Sequence, residues 1–149
     1  AAAEEQEGGE MTKTISIRQP WAYAILHLGK TIENRGWHSS YRGTLLIHAS
    51  KSCTRTEYAE ALWWMQREKL CSPRGLPSFD ELPKGGIVGI CRMADCVNES
   101  SSPWFMGEWG FVLEAAQPVD FVPCKGALGL FDVEWPPLKV VKEEKGTLI

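Results

Sequence analysis

The sequence lacks several features that would place it in well-known classes. No apolar run reaches the roughly 18 to 20 residues of a membrane-spanning helix. Residues 1–10 are acidic and small, unlike the basic and then apolar start of a secretory signal peptide. The five cysteines show no C-x-x-C spacing, so free thiols are expected. Phosphate-cradling loops, H-E-x-x-H motifs and a Ser-His-Asp set are also missing. We therefore predict a cytoplasmic protein with no membrane association, no cofactor and no metal.

What is present indicates a single globular domain. The chain has 149 residues, 44% of them hydrophobic, and seven tryptophans. That is enough to build one core. Residues 1–11 are interpreted as a disordered leader or a remnant of cloning. Residues 139–149 are interpreted as a polar C-terminal tail, which leaves a domain at 12–138.

The charge balance limits the kind of partner. Residues 11–138 contain 13 basic and 13 acidic side chains. A protein that grips a long phosphate backbone is expected to carry a basic excess. A nucleic-acid partner would therefore be a short segment or a single nucleotide.

Periodicity predicts a mixed α+β domain. Short helices are expected at about 20–28 and 55–69. A Thr54–Glu57 capping box opens the second, whose apolar stripe is expected to consist of Tyr58, Leu62 and Met65, widened by Trp63 and Trp64. The Pro/Gly-rich stretch at 71–86 is typical of a long loop. Strands are expected over the following ranges: 14–17, 31–35, 44–50, 87–97, 109–115 and 126–133. Many short strands with glycine-rich turns favour a small β-barrel of about five to six strands with two main flanking helices.

The most informative segment is the charged strand Lys30–Arg35. If it is extended, Glu33 and Arg35 share a face. They would then either pair as a solvated surface ion pair, worth less than about 1 kcal/mol, or contribute to a ligand site. The spacing alone leaves both interpretations open.

The order of several segments resembles the ASCH domain family, which belongs to the PUA-like superfamily of β-barrels. The segments are Ser16–Ala22, Gly29–Arg35, Tyr41–Gly43, Ile47–Lys51, Gly107–Leu113 and Pro123–Val133. The family signature G-x-K-x-x-E-x-R is matched at Lys30, Glu33 and Arg35, although Gly29 directly precedes the lysine here. The resemblance covers about residues 14–135.

This resemblance implies a cleft, lined by the charged strand and the first helix, that suits RNA or a modified nucleoside. Some members resemble amidohydrolases that deacylate N4-acetylcytidine, others have been described as ribonucleases, and one branch occurs in transcription coactivators. In amidohydrolase-like members the signature lysine works with a threonine three residues later. This chain has Glu33 at that position.

Nine residues are candidates for the site, each with a structural alternative. Lys30 and Glu33 would be catalytic if the protein is an enzyme, with His48 completing an acid–base cluster. The alternatives are a helix-end lysine, a simple ion pair and a satisfied strand histidine. The candidates for ligand binding are Arg18, Gln19, Trp21, Arg35, Trp37 and Lys51. A structural turn at 18–19, a core role for Trp21 and pairing of Arg35 with Glu33 are their alternatives.

The leading functional prediction is binding of short or single-stranded RNA or a modified nucleoside, centred on the G-K-x-x-E-x-R segment. The first alternative is a hydrolase, an N4-acetylcytidine amidohydrolase or a ribonuclease, that uses Lys30 and Glu33. The second is a protein-interaction module in transcription or translation regulation, with a protein partner. Such a module would show an exposed apolar patch and no concave site near Lys30.

Overall fold

The computed structural model describes residues 9–137, which form six strands and two helices. The predicted tail at 139–149 lies outside the described residues, as does most of the predicted leader. The strands are β1 (Glu10–Ile17), β2 (Ile32–Arg35), β3 (Gly43–Ala49), β4 (Gly86–Val97), β5 (Trp109–Pro123) and β6 (Leu130–Trp135). The helices are α1 (Trp21–His27), between β1 and β2, and α2 (Arg55–Arg67), between β3 and β4.

The strands form one sheet in the order β2-β5-β4-β3-β1-β6. Within residues 9–137 only β1 and β3 are parallel neighbours, and every other pair of adjacent strands is antiparallel. The sheet curls until β2, at one edge, approaches β1 near the other: the Arg35 guanidinium donates to the Ser16 carbonyl oxygen at 2.9 Å. The predicted α+β fold of PUA-like, barrel-like form with two helices is therefore confirmed, although no backbone ladder joins β2 to β1 in the described residues.

The parallel pair β1 and β3 separates the core from a polar surface. Residues Ile15, Ile17, Leu45, Ile47 and Ala49 point into the main apolar core and are fully or almost fully buried. Side chains alternate along a strand. Ser16 therefore points the other way, and it is the register partner of His48. This opposite face carries the polar side chains that form one candidate site.

The buried face of α2 differs from the predicted one at Trp63. The capping box of α2 is present: Thr54 accepts from the Glu57 backbone N–H, and the Glu57 side chain accepts from the Thr54 backbone N–H, both at 3.0 Å. Met65 is fully buried, as predicted. Trp63, however, is 60% exposed and packs beside Arg67, because the buried face of α2 follows Ala61 and Met65 instead.

Three strand boundaries differ from the prediction. β1 begins at Glu10 and pairs with β6, so residues 10 and 11 belong to the sheet. β5 continues to Pro123 instead of ending near 115, because bulges let it follow β4 past a left-handed Ala115 (φ 55°). β6 begins only at Leu130, which leaves residues 124–129 as a wall beside β1 and β3. No helix within residues 9–137 is both long and apolar enough to cross a membrane.

Candidate functional site

A wide cleft of about 930 Å³ opens over the polar face of β1 and β3. We call it the cationic cleft, because its charged lining side chains are Arg18, Arg35, Lys51 and Lys125. Serine hydroxyls from Ser16, Ser50 and Ser52 add polar groups, and the segment 123–129 forms the far wall. None of the lining residues carries a carboxylate.

Two of these cations form ion pairs, and two are free of ion pairs within residues 9–137. Arg18 forms an exposed ion pair with Glu57, and Arg35 pairs with Glu33 at 3.0 Å. Lys51 and Lys125 are exposed and have no ion-pair partner among the described residues. Positive charge is therefore available at the rim.

A second, much smaller cavity of about 160 Å³ lies at the other end of the signature segment. We call it the tryptophan pocket. Its aromatic walls are Trp21, Trp64 and Trp104, whose ring centroids follow one another at 6.0 and 6.1 Å. The remaining lining residues are Lys30, Glu33, Asn34 and Met106.

The signature segment, Lys30 to Arg35, connects the two sites through the carboxylate of Glu33. Glu33 accepts from Lys30 Nζ through Oε1 and from Arg35 Nε through Oε2, both at 3.1 Å. Lys30 is 4% exposed and Glu33 7%, and Lys30 also donates to the Ile32 carbonyl oxygen. The pair is thus a buried structural unit facing the tryptophan pocket, while Arg35 extends to the cationic cleft.

His48 is held by hydrogen bonds at both ring nitrogens. Its Nε2 lies 2.7 Å from the Cys124 carbonyl oxygen, and its Nδ1 lies 2.9 Å from Ser16 Oγ. The ring is 2% exposed, so it meets the cleft mainly through Ser16. The predicted Lys30/Glu33/His48 cluster is therefore brought together only indirectly, through Arg35 and Ser16.

A shallow groove connects the cationic cleft with the tryptophan pocket. Arg18 lines both the cleft and this groove, and Trp21, Trp64 and Met106 line both the groove and the pocket. Glu57 and Glu60 lie along its side. One extended ligand is therefore able to reach both sites.

The predicted residues thus divide between these two sites. The cleft contains Arg18, Arg35, His48 and Lys51, and the pocket contains Lys30, Glu33 and Trp21. Gln19 is 2% exposed and holds the loop near Pro83, donating to its carbonyl oxygen at 2.9 Å. Trp37 lies against Phe111 with ring centroids 5.1 Å apart and lines neither site.

Four further residues were not among the sequence candidates. Ser16 and Lys125 line the cleft, and Trp64 and Trp104 line the pocket. Ser16 had a signal in the sequence, since it alternates with Ile15 and Ile17 on a strand that leads into the signature region. Trp104 had none, because a Ser-rich turn gives no indication of where its side chain points.

Burial raises the pKa of four cysteine thiols and so makes them less reactive. Burial raises the pKa of Cys91 to about 12 and raises the pKa of Cys53, Cys71 and Cys124. Such thiols stay protonated at neutral pH and are weak nucleophiles. Within residues 9–137 no three His, Cys, Asp or Glu side chains are grouped to hold a metal ion.

Comparison with known proteins decides the family. The model of the ASCH domain matches residues 15–131, most of the described chain. The chain belongs to the ASCH domain family. Activating signal cointegrator 1 from Homo sapiens is 27% identical over 94 residues, and the protein of that name from Mus musculus shows the same identity. The match covers 63% of this chain but only 16% of either relative, so it relates one domain to part of a longer protein.

Proposed function

We propose that this ASCH domain binds short or single-stranded RNA or a modified nucleoside, with phosphate groups in the cationic cleft and one base in the tryptophan pocket. The observation that carries the proposal is the lining of the cleft: every charged side chain there is a cation. Residues 11–138 as a whole have equal numbers of acidic and basic residues. The positive charge is therefore concentrated where the largest concavity lies.

The electrostatics favour a ligand with few phosphates. Lys51 and Lys125 are exposed and free of ion pairs among the described residues, and Arg35 Nη1 makes no hydrogen bond within residues 9–137. Each phosphate neutralised on binding releases condensed counterions, which supplies affinity that falls with salt. Since the remaining surface adds no basic excess, the affinity gained from counterion release is limited to the cleft.

The tryptophan pocket suits a neutral flat ring better than a cation. Its 160 Å³ corresponds to about five water volumes, which is enough for one small ring. Lys30 Nζ already lies 5.8 Å from the Trp21 ring centroid, so the cation–π position is occupied from within the protein. Lys30 and Arg35 together also outweigh the single charge of Glu33. A nucleobase supplies the flat face that aromatic side chains bind.

Salt-dependent binding of a labelled single-stranded RNA tests the proposal. We expect Lys51→Glu and Lys125→Glu each to weaken binding about tenfold and to flatten the dependence of log K on log salt, since each removes a phosphate contact. Arg74→Glu makes the same charge change at an exposed position outside the cleft and should have little effect. Fluorescence anisotropy with heptamers provides the measurement. Equal losses in all three variants, or no binding by the unaltered protein, would contradict the proposal.

A hydrolase is the second candidate, favoured by the Lys30–Glu33 pair at the floor of the tryptophan pocket. The Lys30 ammonium is able to stabilise negative charge that develops on a substrate, and the Glu33 carboxylate is able to direct a water molecule. Turnover of N4-acetylcytidine or of an RNA phosphodiester would establish it. We would then expect Lys30→Met and Glu33→Gln to abolish turnover, with circular dichroism checking the fold. Activity that survives both changes would exclude the pair from catalysis.

The protein-interaction alternative has less support from the structure. A module of that kind needs no concave site near Lys30, yet the tryptophan pocket lies there. The concavities therefore favour a small or extended ligand.

A further inference from the structure

We infer that Ser16, oriented by His48, binds a ribose 2′-hydroxyl in the cationic cleft and makes the domain prefer RNA to DNA. The inference rests on the proposed function and adds to it a residue that discriminates between the two nucleic acids. It starts from the pair formed by Ser16 Oγ and His48 Nδ1, which are 2.9 Å apart on neighbouring strands.

The direction of the hydrogen bonds follows from the partner on the far side of the imidazole. The Cys124 carbonyl oxygen only accepts, so His48 Nε2, at 2.7 Å, must be the donor. In a neutral imidazole the other nitrogen then has no proton and accepts. Ser16 therefore uses its only hydroxyl proton on His48 Nδ1. The oxygen of Ser16 is left with lone pairs and no proton to offer.

This makes Ser16 different from the cations of the cleft. The guanidinium and ammonium groups of Arg18, Arg35, Lys51 and Lys125 donate and do not accept. Ser50 and Ser52 are hydrogen-bonded to each other at 2.7 Å. Phosphate oxygens match the cations, because phosphate accepts. A 2′-hydroxyl matches Ser16, because it donates, and deoxyribose has no group to take its place.

Gly126 keeps the Ser16–His48 pair in place. A Cβ at this position would lie 2.8 Å from His48 Cε1 and 3.2 Å from both His48 Nδ1 and Ser16 Oγ. Any side chain would therefore press on the hydrogen bond between the strands or cover the serine oxygen. The absence of a side chain leaves that oxygen facing the cleft, where Ser16 is partly exposed.

The expected preference is modest and measurable. A neutral hydrogen bond of this kind corresponds to about twofold to tenfold in affinity. We expect single-stranded RNA to bind tighter than DNA of the same sequence by about this factor. RNA with 2′-fluoro groups keeps the ribose-like sugar pucker but does not donate, so it should bind as weakly as DNA.

The test compares these three oligonucleotides, of one sequence and length, on the unaltered domain and on Ser16→Ala, with Ser101→Ala as an exposed serine control outside the cleft. We expect Ser16→Ala to remove the preference for RNA, so that the ratio of RNA affinity to DNA affinity falls to about one. Gly126→Ala should reduce the preference as well, since it displaces His48 and Ser16 without changing a charge. Ser101→Ala should behave as the unaltered domain does.

The outcomes separate this inference from the function on which it rests. Equal binding of RNA and DNA by the unaltered domain would overturn the inference and leave the proposed function standing. So would a preference that persists in Ser16→Ala, because another group would then bind the hydroxyl. Failure of all three oligonucleotides to bind would contradict the proposed function itself.

Discussion

The cationic cleft and the tryptophan pocket are neighbouring sites built on opposite physical principles. The cleft is wide, and its free charges at Lys51 and Lys125 are exposed to solvent. The pocket is narrow, and its Lys30–Glu33 pair is almost fully buried and internally satisfied. Exposed charges attract phosphate over a distance but are screened by salt. Salt screens buried charges much less, and a narrow pocket lined by such charges tolerates little change in the shape of a ligand.

The contrast teaches how one short segment serves both sites. Lys30 faces the pocket, Arg35 reaches the cleft, and Glu33 lies between them and binds both cations. Each cation is held in place by a carboxylate that does not itself line the cleft. Under the proposed function the segment contributes to phosphate binding on one side and to base selection on the other. Changes to it should affect stability before they affect binding.

The largest expected effect comes from removing the shared carboxylate. Glu33→Ala leaves the buried ammonium of Lys30 without its charged partner and releases Arg35. Breaking a buried pair by deleting one partner destabilises a fold by about 3 to 5 kcal/mol. Urea denaturation followed by tryptophan fluorescence gives the free energy of unfolding.

The control for that experiment is an exposed pair of the same chemistry. Arg55 and Asp80 lie 3.0 Å apart with side chains 70% and 75% exposed, so Asp80→Ala should cost less than about 1 kcal/mol. Similar losses in the two variants would show that the signature pair is a surface ion pair, which was the simpler interpretation of the sequence.

A smaller loss of affinity should show whether a base of the ligand binds in the tryptophan pocket. Trp64→Leu removes one aromatic wall, and a stacked base contributes about 1 to 3 kcal/mol. We expect the variant to lose affinity for an intact RNA but to bind an oligonucleotide with a single abasic position as the unaltered protein does. Trp63→Leu is the matched control, because Trp63 is 60% exposed and lines neither site. Equal losses for intact and abasic RNA would place the base elsewhere.

Sequence reasoning predicted those parts of the fold that depend on local patterns. It placed the start of α2 at the capping box of Thr54 and Glu57, and it recognised β3 from the β-forming residues after Gly43, although Leu45 to Ala49 are buried on both faces of that strand. It placed Trp63 wrongly, because two adjacent tryptophans on a helix point in directions that local sequence does not distinguish. The end of β5 was missed for a similar reason: its last residues are held by pairing with β4, a long-range contact.

The types of residue in the candidate site were predictable from the sequence. How these residues divide between the cationic cleft and the tryptophan pocket was not. Glu33 and Arg35 share the short strand β2, and their spacing placed them on one face, where they form an ion pair. Nothing local indicated that Glu33 would be buried or that Trp64 and Trp104 would come from α2 and a distant turn to face it. The closing wall at residues 124–129 likewise depends on the curl of the whole sheet. Membership of the ASCH family confirms the fold, while the assignment of residues to a ligand stays a prediction.

The smallest predicted effect lies at the groove between the two sites, where Glu57 pairs with Arg18. The Thr54 backbone N–H, and after it the Arg18 guanidinium, lower the pKa of Glu57. A lowered pKa in the folded state adds stability above the ordinary carboxyl value near about 4.3. That stability is lost as the pH falls through the lowered value. Glutamine at this position keeps the capping box but carries no charge.

Glu57→Gln should therefore be less stable than the unaltered domain at pH 7 and equally stable at pH 2, as measured by urea denaturation. It should also bind RNA more tightly, by less than about fivefold, because an exposed ion pair no longer competes for Arg18. Asp80→Asn removes a similar exposed charge far from the cleft and corrects for the general change in net charge. If both variants strengthen binding equally, Arg18 does not contact the ligand. If only Glu57→Gln does so, Arg18 links the phosphate side of the ligand to the base side.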